Sequence, residues 1–152
     1  MKLSDHFELS ELVKSQIAER KGIANNPSSD HVDNLKNLCI NVLEHIRLGF
    51  NKPVVISSGY RSAELCIAIG SKPTSQHAEG KAADLEIPGV DNMELAMWIK
   101  ENLSFDQLIL EFYKEGQPDS GWVHVSWNGI NNRNQTLQAV HDSNNKVVYN
   151  PW

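Results

Sequence analysis

The sequence lacks most of the features that mark the easily recognised protein classes. Only two cysteines occur among 152 residues, Cys39 and Cys66. They show neither CxxC spacing nor a framework pattern, which argues against a disulfide scaffold and against zinc held by sulfur. Lysine and arginine number 14 against 19 aspartates and glutamates, for a net charge of −5 with no basic run. Nucleic acid is therefore not an expected partner, because neutralising phosphate takes clustered positive charge. No stretch approaches the roughly 20 apolar residues of a membrane span. No continuous apolar segment follows Lys2, so a signal peptide is not expected either, and synthesis in the cytoplasm is.

What is present is ordinary in bulk: 40% hydrophobic and 22% charged residues, enough to bury a core within one domain spanning residues 1–152. A first helix is expected over about Ser10 to Arg20, with Ser10 as N-cap, Leu12, Val13 and Ile17 facing inward, and Gly22 as its stop. The turn Asn25–Ser29 caps a second helix, on which Val32, Leu35, Leu38, Cys39, Val42, Leu43 and Ile46 recur at three-four spacing. His31 and His45 fall off that stripe and are expected at the surface. Both cysteines lie on apolar helix faces and are expected as buried free thiols.

Lys52-Pro53 then opens a β-branched run, Val54–Ile56, that ends in Ser57-Ser58-Gly59-Tyr60-Arg61. A short helix over Ala63–Ile69 stops at Gly70, and the loop Ser71–Gly80 leads into a strand at Ala82–Ile87. Asp91 caps an amphipathic helix through Leu95, Met97, Trp98, Ile99 and Leu103. Strands are expected at Gln107–Tyr113 and Trp122–Trp127, followed by a hairpin over Thr136–Tyr149 turning at Asp142–Asn145. His141 is placed in that turn, exposed. Helices first and antiparallel strands later make an α+β domain, with N-terminal helices packed on a mainly antiparallel sheet.

Three polar patches carry the chemistry. His77 and Asp84 stand seven residues apart, and His124 lies on a strand far downstream. Two imidazoles and one carboxylate form a nitrogen–oxygen donor set suited to zinc, and three protein ligands leave a fourth position for water. Histidine and aspartate at arbitrary spacing are common, so the surrounding residues matter. Ser57-Ser58-Gly59-Tyr60-Arg61-Ser62, then Ser75-Gln76-His77-Ala78-Glu79-Gly80-Lys81-Ala82-Ala83-Asp84, then Gly121-Trp122-Val123-His124-Val125-Ser126 occur in that order. Between Lys52 and Trp127 the sequence thus resembles the zinc D-Ala-D-Ala carboxypeptidase family, whose relatives include D-alanyl-D-alanine dipeptidases and phage L-alanyl-D-glutamate endopeptidases. The N-terminal helices resemble those of its compact, phage- or prophage-encoded branch.

The resemblance implies a hedgehog-like fold carrying a zinc site, with His77, Asp84 and His124 as metal ligands. It implies that Arg61 holds a carboxylate or carbonyl of the substrate, a task suited to a planar, permanently charged fork. Ser75 and Gln76 would line the substrate channel, although Ser75 also suits a turn-capping role and Arg61 a surface salt bridge. The implied substrate is peptidoglycan stem peptide, cut by a monomer that reaches the wall after lysis, as a phage endolysin does. Two other classes stay open at this stage: a zinc-containing module that binds cell wall without cutting it, and a metal-free structural protein.

The sequence departs from the family pattern at one position. Many relatives carry Glu or Asp three residues before the last histidine as general base, and here that residue is Gly121. Amide hydrolysis still requires a carboxylate beside the attacking water. Glu111, on Leu108–Tyr113, and Asp119, in the following loop, are the candidates. A hairpin turning around Lys114–Ser120 sets Glu111 about opposite His124, on the same face, which favours Glu111 as catalytic base. Trp98 fits the helix core, Trp122 and Trp127 flank the histidine strand, and Glu79 and Lys81 decorate the loop.

Overall fold

The computed structural model describes residues 1–152 and contains a two-stranded hairpin, six helices and a six-stranded sheet. The hairpin pairs β1 (Lys2–Ser4) with β2 (Phe7–Glu8). The expected first helix is two helices, α1 (Leu9–Val13) and α2 (Gln16–Lys21). Ser10 is not the cap. Glu8 holds that position, and the Glu11 carboxylate accepts from the Glu8 N–H at 3.0 Å. Lys14 is extended, and Ser15 starts a new helix because its hydroxyl accepts the Ala18 N–H (3.2 Å), offering the backbone an alternative to continued helix. The interruption turns the register, so Ile17 is exposed and Ala18 is buried in its place.

Ser28 caps the next helix, α3 (Ser29–Leu38), by accepting the His31 N–H at 3.2 Å. α3 runs through a π-helical turn, Cys39–Leu43, into α4 (Glu44–Phe50). Leu35, Leu38, Cys39, Val42, Leu43 and Ile46 along this rod are fully buried, as their spacing requires. Each large aliphatic among them contributes about 1.5–3 kcal/mol by leaving water. Burial pushes the Cys39 thiol up to about 12, and both cysteines are free. His45 is exposed, whereas His31 is half-buried with its ring 4.9 Å from that of Tyr60.

The sheet comprises β3 (Val55–Ser58), β4 (Ala82–Glu86), β5 (Gln107–Glu111), β6 (Trp122–Ser126), β7 (Gln135–His141) and β8 (Val147–Pro151). Its spatial order is β3-β4-β6-β5-β7-β8. Every pair is antiparallel except β5 with β7. That parallel pair was not expected; it arises because β6 already occupies one edge of β5, and the chain crosses to the free edge to lay down β7. α5 (Ala63–Ala68) follows β3, and α6 (Asn92–Asn102), capped by Asp91 on the Met93 N–H (2.8 Å), follows β4. His141 ends β7 rather than sitting in the turn, and its exposed ring stacks on Phe112 at 4.6 Å.

The two faces of the central strands have different fates. Ala83, Leu85, Leu108, Leu110, Val123 and Val125 point into one core cluster with the α3–α4 rod and α6. The alternate residues Asp84, Ile109, Glu111 and His124 point the other way, into a cleft.

Gly59, just beyond β3, ties the helices to this cleft. Its successor's N–H donates to Leu12 O at 2.6 Å, and a Cβ on Gly59 would lie 3.0 Å from Leu12 Cα and closer still to the Leu12 carbonyl. Gly59→Ala is expected to cost about 1–3 kcal/mol of stability through this overlap, measured by urea denaturation. A midpoint equal to that of the unsubstituted chain would show that the α1–β3 contact yields freely.

Candidate metal centre

Antiparallel pairing of β4 with β6 sets Asp84 directly opposite His124. Residues so opposed share a face with their Cβ atoms about 4.5–5.5 Å apart, close enough for the side chains to converge. His124 Nδ1 lies 3.0 Å from Asp84 Oδ1. His77 arrives from outside the sheet, on a 3₁₀ turn at Gln76–Glu79 that Ser75 caps by accepting the His77 N–H at 3.1 Å. Its Nε2 stands 3.2 Å from His124 Nδ1 and 3.4 Å from Asp84 Oδ1. All three residues are buried.

These distances allow a direct test of fit. Tetrahedral zinc with bonds of about 2.0–2.1 Å to nitrogen and oxygen has ligand–ligand edges of about 3.3 Å, and the three edges here are 3.0, 3.2 and 3.4 Å. The protonation pattern agrees. His77 Nδ1 lies 2.7 Å from Gly59 O. A carbonyl only accepts, so Nδ1 carries the proton and the Nε2 lone pair faces the other two groups. Burial lowers the pKa of His77, with Asp84 opposing, and keeps the ring neutral. Burial by itself would raise that of Asp84, but His77 and His124 hold it well below the usual carboxylate range. A buried carboxylate with two imidazole nitrogens converging on it could hold a divalent cation, and its buried charge calls for a partner. The sequence-derived trio is thus brought together.

The cleft around it has a volume of about 850 Å³. Arg61, Ser75, Gln76 and Glu111, expected at the site, all line it; Asp119 does not and is exposed in its loop. Arg61 forms none of the surface ion pairs open to it. Its backbone N–H donates to His77 O at 3.1 Å, while its Nε is buried without a hydrogen-bond partner. Ser75 both caps the His77 turn and borders the cleft. Lys81 pairs with Glu79 at 3.0 Å, outside the cleft lining.

The expected register of Glu111 needs correction. Ile109, not Glu111, lies opposite His124, and Glu111 lies opposite Trp122. The cause is the β5–β6 connection. Phe112 and Gly121 both take left-handed conformations (φ 56° and 63°), which ends the ladder at Glu111–Trp122 and shifts the pairing by two residues. A shift of two preserves the face, so Glu111 still projects into the cleft beside His124. Burial raises its pKa and the charge of Asp84 raises it further, against the pull of His124, the Trp122 indole and Arg61. The Trp122 Nε1–H nonetheless has no formed hydrogen bond.

The same geometry accounts for the missing acid at position 121. A Cβ on Gly121 would lie 2.8 Å from Phe112 C and closer still to Glu111 O. Any side chain there would collide with the strand that carries Glu111. Asp106, Arg133, Asn128 and Tyr149 also line the cleft and were not picked out from the sequence. Nothing in their spacing signals a site, because β7, β8 and the loop before them reach the cleft only through the crossover.

Gly121→Ala is expected to destabilise the fold by at least about 2 kcal/mol, combining left-handed strain with overlap. The measurement is thermal or urea unfolding, and an unchanged midpoint would show that the β5–β6 connection has room for a side chain at position 121.

A model of the peptidase M15 family matches residues 5–126. No curated protein matches the chain. The matched span contains Arg61, Ser75, Gln76, His77, Asp84, Glu111 and His124 together with the β3–β6 strands that converge them, whereas β7 and β8 lie beyond it. With an α+β fold of the expected kind and a His-Asp-His cluster at the floor of a cleft, the chain belongs to the peptidase M15 family, the zinc D-Ala-D-Ala carboxypeptidases and their relatives.

Proposed function

We propose that this peptidase is a zinc enzyme that hydrolyses amide bonds in the stem peptides of bacterial peptidoglycan, acting at the cell wall. The observation that carries the metal assignment is the triangle of donor atoms on His77, Asp84 and His124, with edges close to those of a zinc tetrahedron. Membership of the M15 family and the motif resemblance support the substrate class. Zinc bound at this triangle supplies polarisation of the scissile carbonyl and acidification of water.

The chain's own residues do the rest. Glu111, raised in pKa by burial, is a stronger base than an exposed carboxylate and takes the proton of the attacking water. Once protonated it stands ready to hand that proton to the departing amine, so a single group serves both halves of the reaction. Arg61, whose buried Nε lacks a partner, offers its guanidinium to a carbonyl or carboxylate of the peptide. Gly59 O fixes the His77 ring through Nδ1, which keeps Nε2 aimed at the other two donors without tautomer exchange.

Elemental analysis of purified protein is expected to find about one zinc per chain, lost in His77→Ala and in His124→Ala. Stoichiometric zinc in both variants would overturn the ligand assignment.

Mass spectrometry of fragments released from purified peptidoglycan tests the substrate and the base together. Glu111→Gln is expected to keep fold and zinc while turnover drops by about 10²–10⁴, the contribution of a positioned proton-transfer group. Asp119→Asn, exposed and outside the cleft lining, is expected to be nearly silent. Activity retained by Glu111→Gln and lost by Asp119→Asn would reverse the two roles.

A further inference from the structure

Asp106 is 2% exposed, yet it forms no hydrogen bond or ion pair with the His-Asp-His cluster. It accepts Gln76 Nε2 at 2.8 Å and Arg133 three times: from the backbone N–H and Nε at 3.0 Å each, and from Nη2 at 2.8 Å. The clamp holds two side chains that would otherwise be free. The Arg133 side chain is 53% exposed and reaches the cleft from the loop before β7. With Nε and Nη2 committed to Asp106, Nη1 carries no hydrogen bond within the chain, and neither does Gln76 Oε1. Both residues line the cleft.

The chemistry of this pair is specific. Asp106 cancels the charge of Arg133, so the wall presents no net attraction for an anion, and Gln76 Oε1 would repel a carboxylate. What remains is a fixed edge of free guanidinium N–H donors, led by Nη1, beside one fixed C=O acceptor, together the complement of a peptide group. Because both are pinned before any ligand arrives, binding costs little side-chain entropy.

The position matters as much as the chemistry. Gln107, Ile109 and Glu111 of β5 all face the cleft, and His124 lies opposite Ile109. Asp106 therefore stands three residues along the strand from the His124 level, about 10 Å at 3.3 Å per residue, on the side away from Glu111. An extended peptide crossing that distance uses about three residues. We propose that Gln76 and Arg133, with Asp106 as the positioning residue, bind a main-chain amide of the peptide substrate about three residues from the scissile bond. This rests on the peptidase reading above and deepens it: the cleft is built for a chain that continues past the cut, as in an endopeptidase, rather than for a dipeptide.

The test is a ladder of synthetic stem peptides lengthened one residue at a time on either side of the cleaved bond. For the unsubstituted enzyme, KM is expected to fall about tenfold, with kcat unchanged, at the step that reaches the subsite, the effect of one well-made hydrogen-bonded pair. In Arg133→Met the ratio of KM between the shorter and longer peptides is expected to collapse to near one. Gln76→Met should do the same, and it serves alone if Arg133→Met fails to fold. A ladder without a step, or a step that survives both variants, would overturn the proposal. Should the unsubstituted chain cleave no peptide, the peptidase reading fails separately, and the subsite is decided by NMR on zinc-free protein titrated with a six-residue stem peptide. Shifts of the Arg133 Nε–H and Gln76 side-chain amide signals then support it, and unshifted signals overturn it.

Discussion

The pairing of β4 with β6 places Asp84 across from His124, and this single register constrains the rest of the molecule. It fixes an anionic carboxylate in a buried position, where an isolated charge would be expensive. The surrounding structure is arranged to make that charge tolerable. Gly59 lends its carbonyl to orient His77, and to do so β3 must pack close enough to α1 that no side chain fits at position 59. The helices thus serve the site as well as the core: α1 receives the Tyr60 N–H through Leu12 O, and the Arg61 N–H is received by His77 O. Ser75 caps the turn that presents His77, which leaves the ring held at both its backbone and its Nδ1.

The second constraint is the hairpin from β5 to β6. Two left-handed residues, Phe112 and Gly121, close it tightly enough that a Cβ at position 121 would meet the backbone of Glu111 and Phe112. An acid three residues before His124 and the present approach of β5 cannot coexist in this backbone. The carboxylate that the cleft does contain there, Glu111, comes from β5, two residues beyond the point facing His124, on the same face of the sheet. Position on a strand interior gives Glu111 a buried setting that a loop acid such as Asp119 does not have, and with it a raised pKa.

Beyond the centre, the buried Asp106 gathers three segments that the sequence keeps far apart: the His77 turn through Gln76, the start of β5, and the loop before β7 through Arg133. Four hydrogen bonds, three of them from one arginine, hold its carboxyl down at about 2, led by the Arg133 side chain. The result is a cleft with the His-Asp-His cluster and Glu111 toward one end of β5 and a rigid polar wall at the other.

The sequence by itself determined the elements and the donor set. Spacing of Leu35, Leu38, Val42 and Ile46 specified a helix with one buried face, since a helix repeats every 3.6 residues whatever lies around it. The turn Asn25–Ser29, Asp91 and Gly59-Tyr60-Arg61 marked caps and a strand end through local backbone chemistry, and His77, Asp84 and His124 were identifiable because their motifs stand in order. Ser15 escaped notice because a serine inside a helical pattern becomes a cap only if the chain turns there. The pairing of Glu111 with Trp122 was decided by the left-handed pair Phe112 and Gly121, a conformation set by contact between two strands rather than by either residue's preference. Asp106 and Arg133 were invisible for a related reason: 27 residues separate them, and only the crossover that lays β7 parallel to β5 brings the guanidinium to the carboxylate. Local periodicity and capping are read from neighbours along the chain; register and convergence are settled by packing between segments, which tertiary structure alone decides.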